Sequence, residues 1–307
     1  LDGEAGDDIV HFAEALTTGT LLGGSGADSL YLDDPSTNVS LGGGDDDEAD
    51  TFHLADTATS VSISAGSGAD SILLAGGVAG SGQVLTGAGN DTVQVTGTLI
   101  STSLTGNDGD DFVSISGKAN SSTLKGNSGA DTIMISSGGT ATNIATNIGD
   151  DSISIGSKLT GSKIWGGSGS DTITIATLSS GVVGGQQGAD LVVASKIVSS
   201  NVQLAVSDEG SSLKDTLSVS GLVSNSTILS SDGDDSISLG TLAGGTTTLL
   251  DGGDTLIVGS SLGGVINMGD GADLVSAAGS VSAGTLMGGS GADSFTLGGA
   301  AATSSIV

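Results

Sequence analysis

The chain has 307 residues, 35 acids against 6 lysines and arginines, a formal net charge of −29 and no cysteine. That balance excludes nucleic acid as a partner, since phosphate contacts need basic surface, and an anionic membrane surface would repel it. No apolar run of about 18 residues offers a membrane span, and at 2% aromatic content the aliphatic residues can fill only a thin core.

Glycine stands at 55 positions and proline at 1. Such a glycine load suggests disorder in a chain without periodicity, but here the glycines recur with an acid. An aspartate follows a glycine-rich turn fifteen times, at Asp8, Asp28, Asp50, Asp70, Asp91, Asp111, Asp131, Asp151, Asp171, Asp190, Asp215, Asp235, Asp254, Asp273 and Asp293. Eight of the fourteen intervals are 20 residues. A fixed period of this kind marks a repeat architecture. A solenoid grows by adding coils, so residues 1–307 read as a single continuous repeat domain, a fragment of a longer chain or polymer.

In the opening coils, His11 and His53 stand three residues after a key aspartate, with Tyr31 in the coil between them. Two coils separate the histidines, too far to share a metal ion, so a small outward stack is expected. The turn before Asp50 is enlarged by Asp45, Asp46, Asp47 and Glu48, which read as a solvated acid loop, with an extra cation site as the alternative.

The middle coils are the most regular. In residues 113–133, Val113-Ser114-Ile115 alternates as a strand does. Residues 117–121 form a turn cluster, Leu124 marks a second strand, and residues 126–131 make the acidic turn. Two strands and two turns in one repeat describe a flattened parallel β-solenoid. The column two residues after each key aspartate is apolar, from Val10 through Ile133 to Phe295, and so is the column four after. A third apolar column seven before includes Ile63, Leu104, Leu124 and Ile164 and forms a facing wall. With coils about 4.8 Å apart, fifteen would span roughly 70 Å. Positions one after the aspartates are mostly Ser or Thr and face outward. Lys118, Lys158 and Lys196 fall in the second turn, opposite the acids, and Trp165 is expected to point outward.

Farther on, residues 207–215 break the spacing and lose most glycines, so a weak or absent site and a bulged loop are expected there. The regular motif returns by Asp293.

Glycine turns can aim carbonyls at one point, and a hard cation such as Ca2+ takes six to eight oxygens. A bare row of carboxylates would repel itself. About fourteen divalent ions between fifteen turns would supply about +28, close to the net charge.

The stretches Gly23-Gly24-Ser25-Gly26-Ala27-Asp28, Gly166-Gly167-Ser168-Gly169-Ser170-Asp171 and Gly288-Gly289-Ser290-Gly291-Ala292-Asp293 resemble the hemolysin-type RTX calcium repeat. The resemblance implies a right-handed parallel β-roll with Ca2+ between turns, up to about 14 ions, and secretion from a Gram-negative bacterium by a type I route. Carried over, the ligands are Asp8, Asp28, Asp50, Asp70, Asp91, Asp111, Asp131, Asp151, Asp171, Asp190, Asp235, Asp254, Asp273 and Asp293. Asp7, Asp110, Asp150 and Asp234, just before key aspartates, are second ligands. The family's usual coil carries two motifs, whereas this one carries one, which puts calcium on one edge only.

No catalytic constellation, nucleophile elbow or phosphate loop is present, so no enzyme activity is expected. In the strand that follows each key aspartate, only Thr172-Ile173-Thr174 gives the Thr-x-Thr pattern, too little for a regular ice-binding rank. No signal peptide is visible, and Leu1 already stands inside a repeat; both a lost start and export by a missing C-terminal signal stay open. The expected role is a calcium-stiffened structural protein of the bacterial cell surface, as in surface-layer or oscillin-like fibril proteins. Its partners would be copies of itself and other surface components. The alternative is the calcium-binding tail of a secreted enzyme, toxin or adhesin whose working domain lies elsewhere.

Overall fold

The computed structural model describes residues 1–307 except 45, 206–212, 303–304 and 307. The chain forms two compact units, Leu1–Ser157 and Lys158–Val307. The described residues contain strands and no helix, and every paired register is parallel, so each unit is a β-solenoid.

In the first unit one inward column runs Val10, Leu30, Phe52, Ile72, Val93, Val113, Ile133, Ile153, each the register partner of the next. A second runs Leu21, Leu41, Ile63, Val84, Leu104, Leu124, Ile144. In the second unit the equivalent columns run from Ile173 to Phe295 and from Ile164 to Leu286. Nearly all these side chains are buried. Stacked β-branched residues suit a parallel sheet covered on its inner face.

Each coil has a third wall that the alternation does not predict. Short strands such as Ala58–Thr59, Gly77–Ala79, Thr98–Ile100 and Ala119–Asn120 lie inside the expected second turn. They point Ala58, Val78, Leu99 and Ala119 inward, all at 0% exposure. In the second unit the same segment is fused to the first strand, as in Thr172–Ser179 and Leu191–Val198, where Leu178 and Ile197 fill the position. The coil therefore has three walls around an aliphatic core. Two-residue strands framed by polar residues carry no period-two signal.

The edge opposite the acids is closed by buried hydroxyls. Ser122 Oγ accepts the Thr102 amide at 3.3 Å and donates to the Asn120 carbonyl at 3.0 Å. In the second unit Ser200 Oγ accepts the Gly181 amide, and Ser226 Oγ the Ser200 amide, each at 3.2 Å. The residue before each hydroxyl is left-handed, as at Ser101, Ser121, Ser199 and Asn225. The turn that looked plain in the sequence is a neutral, self-satisfied ladder.

Candidate metal centre

The recurring aspartates face inward. Asp28, Asp50, Asp70, Asp91, Asp111, Asp131 and Asp151 of the first unit are between 1% and 4% exposed. So are Asp171, Asp190, Asp235, Asp254 and Asp273 of the second unit, at 1% or 2%. Asp8 and Asp293 are half-buried. A charged group is rarely buried this deeply without a partner.

One oxygen of each carboxylate has a fixed task. The amide of Asp111 donates to Asp131 Oδ1 at 2.9 Å, and the amide of Asp131 to Asp151 Oδ1 at 2.7 Å. The same bond joins Asp8 to Asp28, Asp28 to Asp50, Asp50 to Asp70, Asp70 to Asp91 and Asp91 to Asp111. In the second unit it joins Asp171 to Asp190, Asp190 to Asp215, Asp215 to Asp235, Asp235 to Asp254, Asp254 to Asp273 and Asp273 to Asp293. Each aspartate thus caps its predecessor's backbone through a charge-assisted bond.

The second oxygen differs. Oδ2 of Asp28, Asp50, Asp70, Asp111, Asp131, Asp254 and Asp273 is buried and has no hydrogen-bond partner. Burial pushes the carboxyls of Asp70, Asp111, Asp131 and Asp254 up to about 7 and that of Asp50 to about 6. The capping amide opposes this rise, and neighbouring carboxylates add to it, Asp46 among them for Asp50 and Asp70.

The turn backbone lets each carboxylate approach closely. A Cβ on Gly23, Gly43, Gly106, Gly126 or Gly166, each at the start of its turn, would meet the aspartate Oδ2 at 1.9–2.1 Å. Ala65 and Thr86 replace this glycine before Asp70 and Asp91; the Thr86 hydroxyl donates to the Gly106 carbonyl at 2.8 Å. Two residues before the aspartate, Gly68, Gly89, Gly109, Gly129, Gly149, Gly169 and Gly188 are all left-handed. Asn107, Asn127 and Asn147 share that conformation four before.

The donors here are carboxylate and backbone oxygen, with no thiolate or imidazole. Such a set fits a hard cation such as Ca2+ and not zinc. Among the described residues no three His, Cys, Asp or Glu side chains converge on one point. Any ion would therefore draw much of its shell from carbonyls or water.

The acids proposed as second ligands lie elsewhere. Asp7, Asp110, Asp150 and Asp234 are exposed. Asp7 Oδ1 accepts the Ala27 amide at 3.0 Å, Asp110 Oδ1 the Ala130 amide at 2.7 Å, and Asp234 Oδ1 the Gly253 amide at 2.9 Å. They brace the outer side of the turns, outside the buried row. In the enlarged turn Asp46 Oδ2 likewise accepts the Gly26 amide at 2.6 Å; Asp45 lies outside the described residues. So do residues 207–212 of the expected bulged loop.

His11, Tyr31 and His53 form an outward stack, edge to face at 6.1 and 6.0 Å between ring centroids. Asp33 Oδ2 lies 2.7 Å from His11 Nε2. Trp165 lies across Gly184 of the next coil, so that a Cβ there would stand 2.5 Å from its ring.

No family model matches this chain, and no curated protein sequence matches it. Among solved structures it is similar to the crystal structure of a hyperactive, Ca2+-dependent, beta-helical antifreeze protein from an Antarctic bacterium. The likeness has a TM-score of 0.60 at 20% identity and covers 95% of this chain and 83% of the other. At that identity it supports the shared fold alone.

Proposed function

We propose that this chain is a calcium-binding structural repeat protein of the bacterial cell surface, stiffened by a row of Ca2+ ions along one edge and serving in a surface fibril or layer. The observation that carries the calcium reading is the set of buried Oδ2 atoms without hydrogen-bond partners at Asp28, Asp50, Asp70, Asp111, Asp131, Asp254 and Asp273. The β-helical neighbour, named as Ca2+-dependent, supports it. Bound Ca2+ would supply positive charge to this column, held by the aspartates and turn carbonyls. The structural role rests on the repeat occupying the chain and on the lack of a catalytic motif; no enzyme activity is part of the proposal. The alternative is the calcium-binding tail of a secreted enzyme, toxin or adhesin.

Ice binding is not proposed. The outward column His11, Tyr31, His53, Leu73, Gln94, Ser114, Met134 presents no regular rank.

The test is circular dichroism with and without excess chelator, together with calcium content per chain. A β spectrum that collapses on chelation and returns with Ca2+ is expected; an unchanged spectrum with no bound calcium would sink the reading. Electron microscopy of native material separates the roles: regular fibres or lattices favour the structural protein, dispersed particles the tail.

A further inference from the structure

Asp215 has protein donors on both carboxylate oxygens. Asp215 is 0% exposed and its Oδ1 accepts the Asp190 amide at 2.9 Å, as elsewhere. Its Oδ2, however, accepts the hydroxyl of Ser231 at 3.1 Å, and Ser231 is itself only 5% exposed.

The sequence around this junction has changed to match. Some turns begin with a glycine pair, as at Gly23-Gly24, Gly166-Gly167 and Gly288-Gly289, and many others keep one glycine, while the turn before Asp235 begins Ser230-Ser231. Ser231 is not among the left-handed residues, although Gly24, Gly167 and Gly289 at the same place are.

A cation is present on the outer side as well. Lys214 occupies the position just before the aspartate, where other coils place Ala27, Ala69, Ala130 or Asp110. Its Nζ lies 2.9 Å from Asp234 Oδ2. The hydroxyl solution of the opposite edge, seen at Ser122 and Ser200, thus recurs on the acidic edge at Ser231, with a lysine on the outer side.

Resting on the calcium reading, the structure assigns to the Asp215–Asp235 junction a metal-free link: Ser231 takes the place of a Ca2+ ion beside Asp215, and the ion row is interrupted there. An ion beside Asp215 would have to displace a buried hydroxyl, which is unfavourable.

The experiment compares Asp215→Asn with Asp131→Asn in the full chain and measures calcium per chain after equilibration at limiting Ca2+. Asparagine keeps the Oδ1 acceptor in both. At position 215 its Nδ2 can donate to Ser231 Oγ, so calcium content should equal that of the unsubstituted protein. At position 131 the content should drop. An equal loss in both variants would overturn the link and leave the calcium reading standing. Absence of calcium from the unsubstituted protein would overturn both.

Anomalous scattering from crystals of the unsubstituted protein grown with terbium gives a second measurement, free of any folding defect in the variants. Ions beside Asp111 and Asp131 with none beside Asp215 support the link. An ion coordinated by Asp215 Oδ2 overturns it.

Discussion

A Cβ on Gly129 would stand 2.1 Å from the carbonyl oxygen of Gly109 in the preceding coil. Both glycines have φ near +120°, so the two turns nest at a distance that no other residue permits. The obstacle is backbone, which cannot swing aside. Gly129→Ala combines this contact with left-handed strain, and should cost about 2–4 kcal/mol. Thermal melts in saturating Ca2+ should show the loss; an unchanged midpoint would refute the nesting argument.

Asp131→Ala removes an acceptor and a candidate ligand together. The Asp111 amide loses its partner at Oδ1, at a cost of about 1–3 kcal/mol, and bound calcium falls as well. Neighbour-limited energetics confine the damage. Hydrogen exchange should therefore quicken around residues 106–151 and stay near its original rate around residues 51–74. Uniform loss of protection would contradict a coil-by-coil energy.

Ser122→Ala tests the opposite edge. It strands the Thr102 amide, costing about 1–3 kcal/mol, but touches no acid. Stability should drop with calcium content unchanged. A fall in calcium content would mean that the two edges are not chemically separate.

The pH dependence should reverse with metal. In the metal-free protein the carboxyls of Asp70, Asp111, Asp131 and Asp254 rise to about 7 from an unfolded value of 3.8. The folded state therefore holds more protons than the unfolded state between these values. Its stability from these groups is full below about 4 and declines as pH rises through about 7. With Ca2+ the ionised carboxylate is the binding form, so stability should climb over the same range. Melts from about pH 4 to pH 8, with chelator and with calcium, check both slopes. A chelated protein that gains stability toward pH 8 would refute the assignment.

Much of this arrangement could be read from the chain. The period and the inward columns through Val113, Ile115 and Leu124 follow from alternation that the sheet uses directly. Three things were hidden. The wall through Ala58, Val78, Leu99 and Ala119 comes from segments too short to alternate, although the column is apolar when coils are aligned. The buried Ser122 and Thr102 read as turn residues, because a hydroxyl satisfied by its neighbouring coil leaves no local mark. The aspartates were legible as a row but not as interior groups, since only the stacked amides make burial of Asp131 tolerable. The acids at Asp110 and Asp234 showed the converse difficulty: adjacency in sequence to a key aspartate does not bring a side chain to the same side of the turn.

The bond from Asp111 to Asp131 spans one repeat, 20 residues, and its counterparts along each unit span one repeat as well. A duplicated coil would therefore arrive with a donor for the coil after it and an acceptor for the coil before it. Length can then change in whole coils by duplication or deletion, with every junction intact, while an odd insertion must be carried in a turn. The 25-residue step from Asp190 to Asp215 retains the same bond at 2.9 Å, so even the most irregular coil keeps its place in the register. For such a chain, size is something evolution can adjust without redesigning the fold.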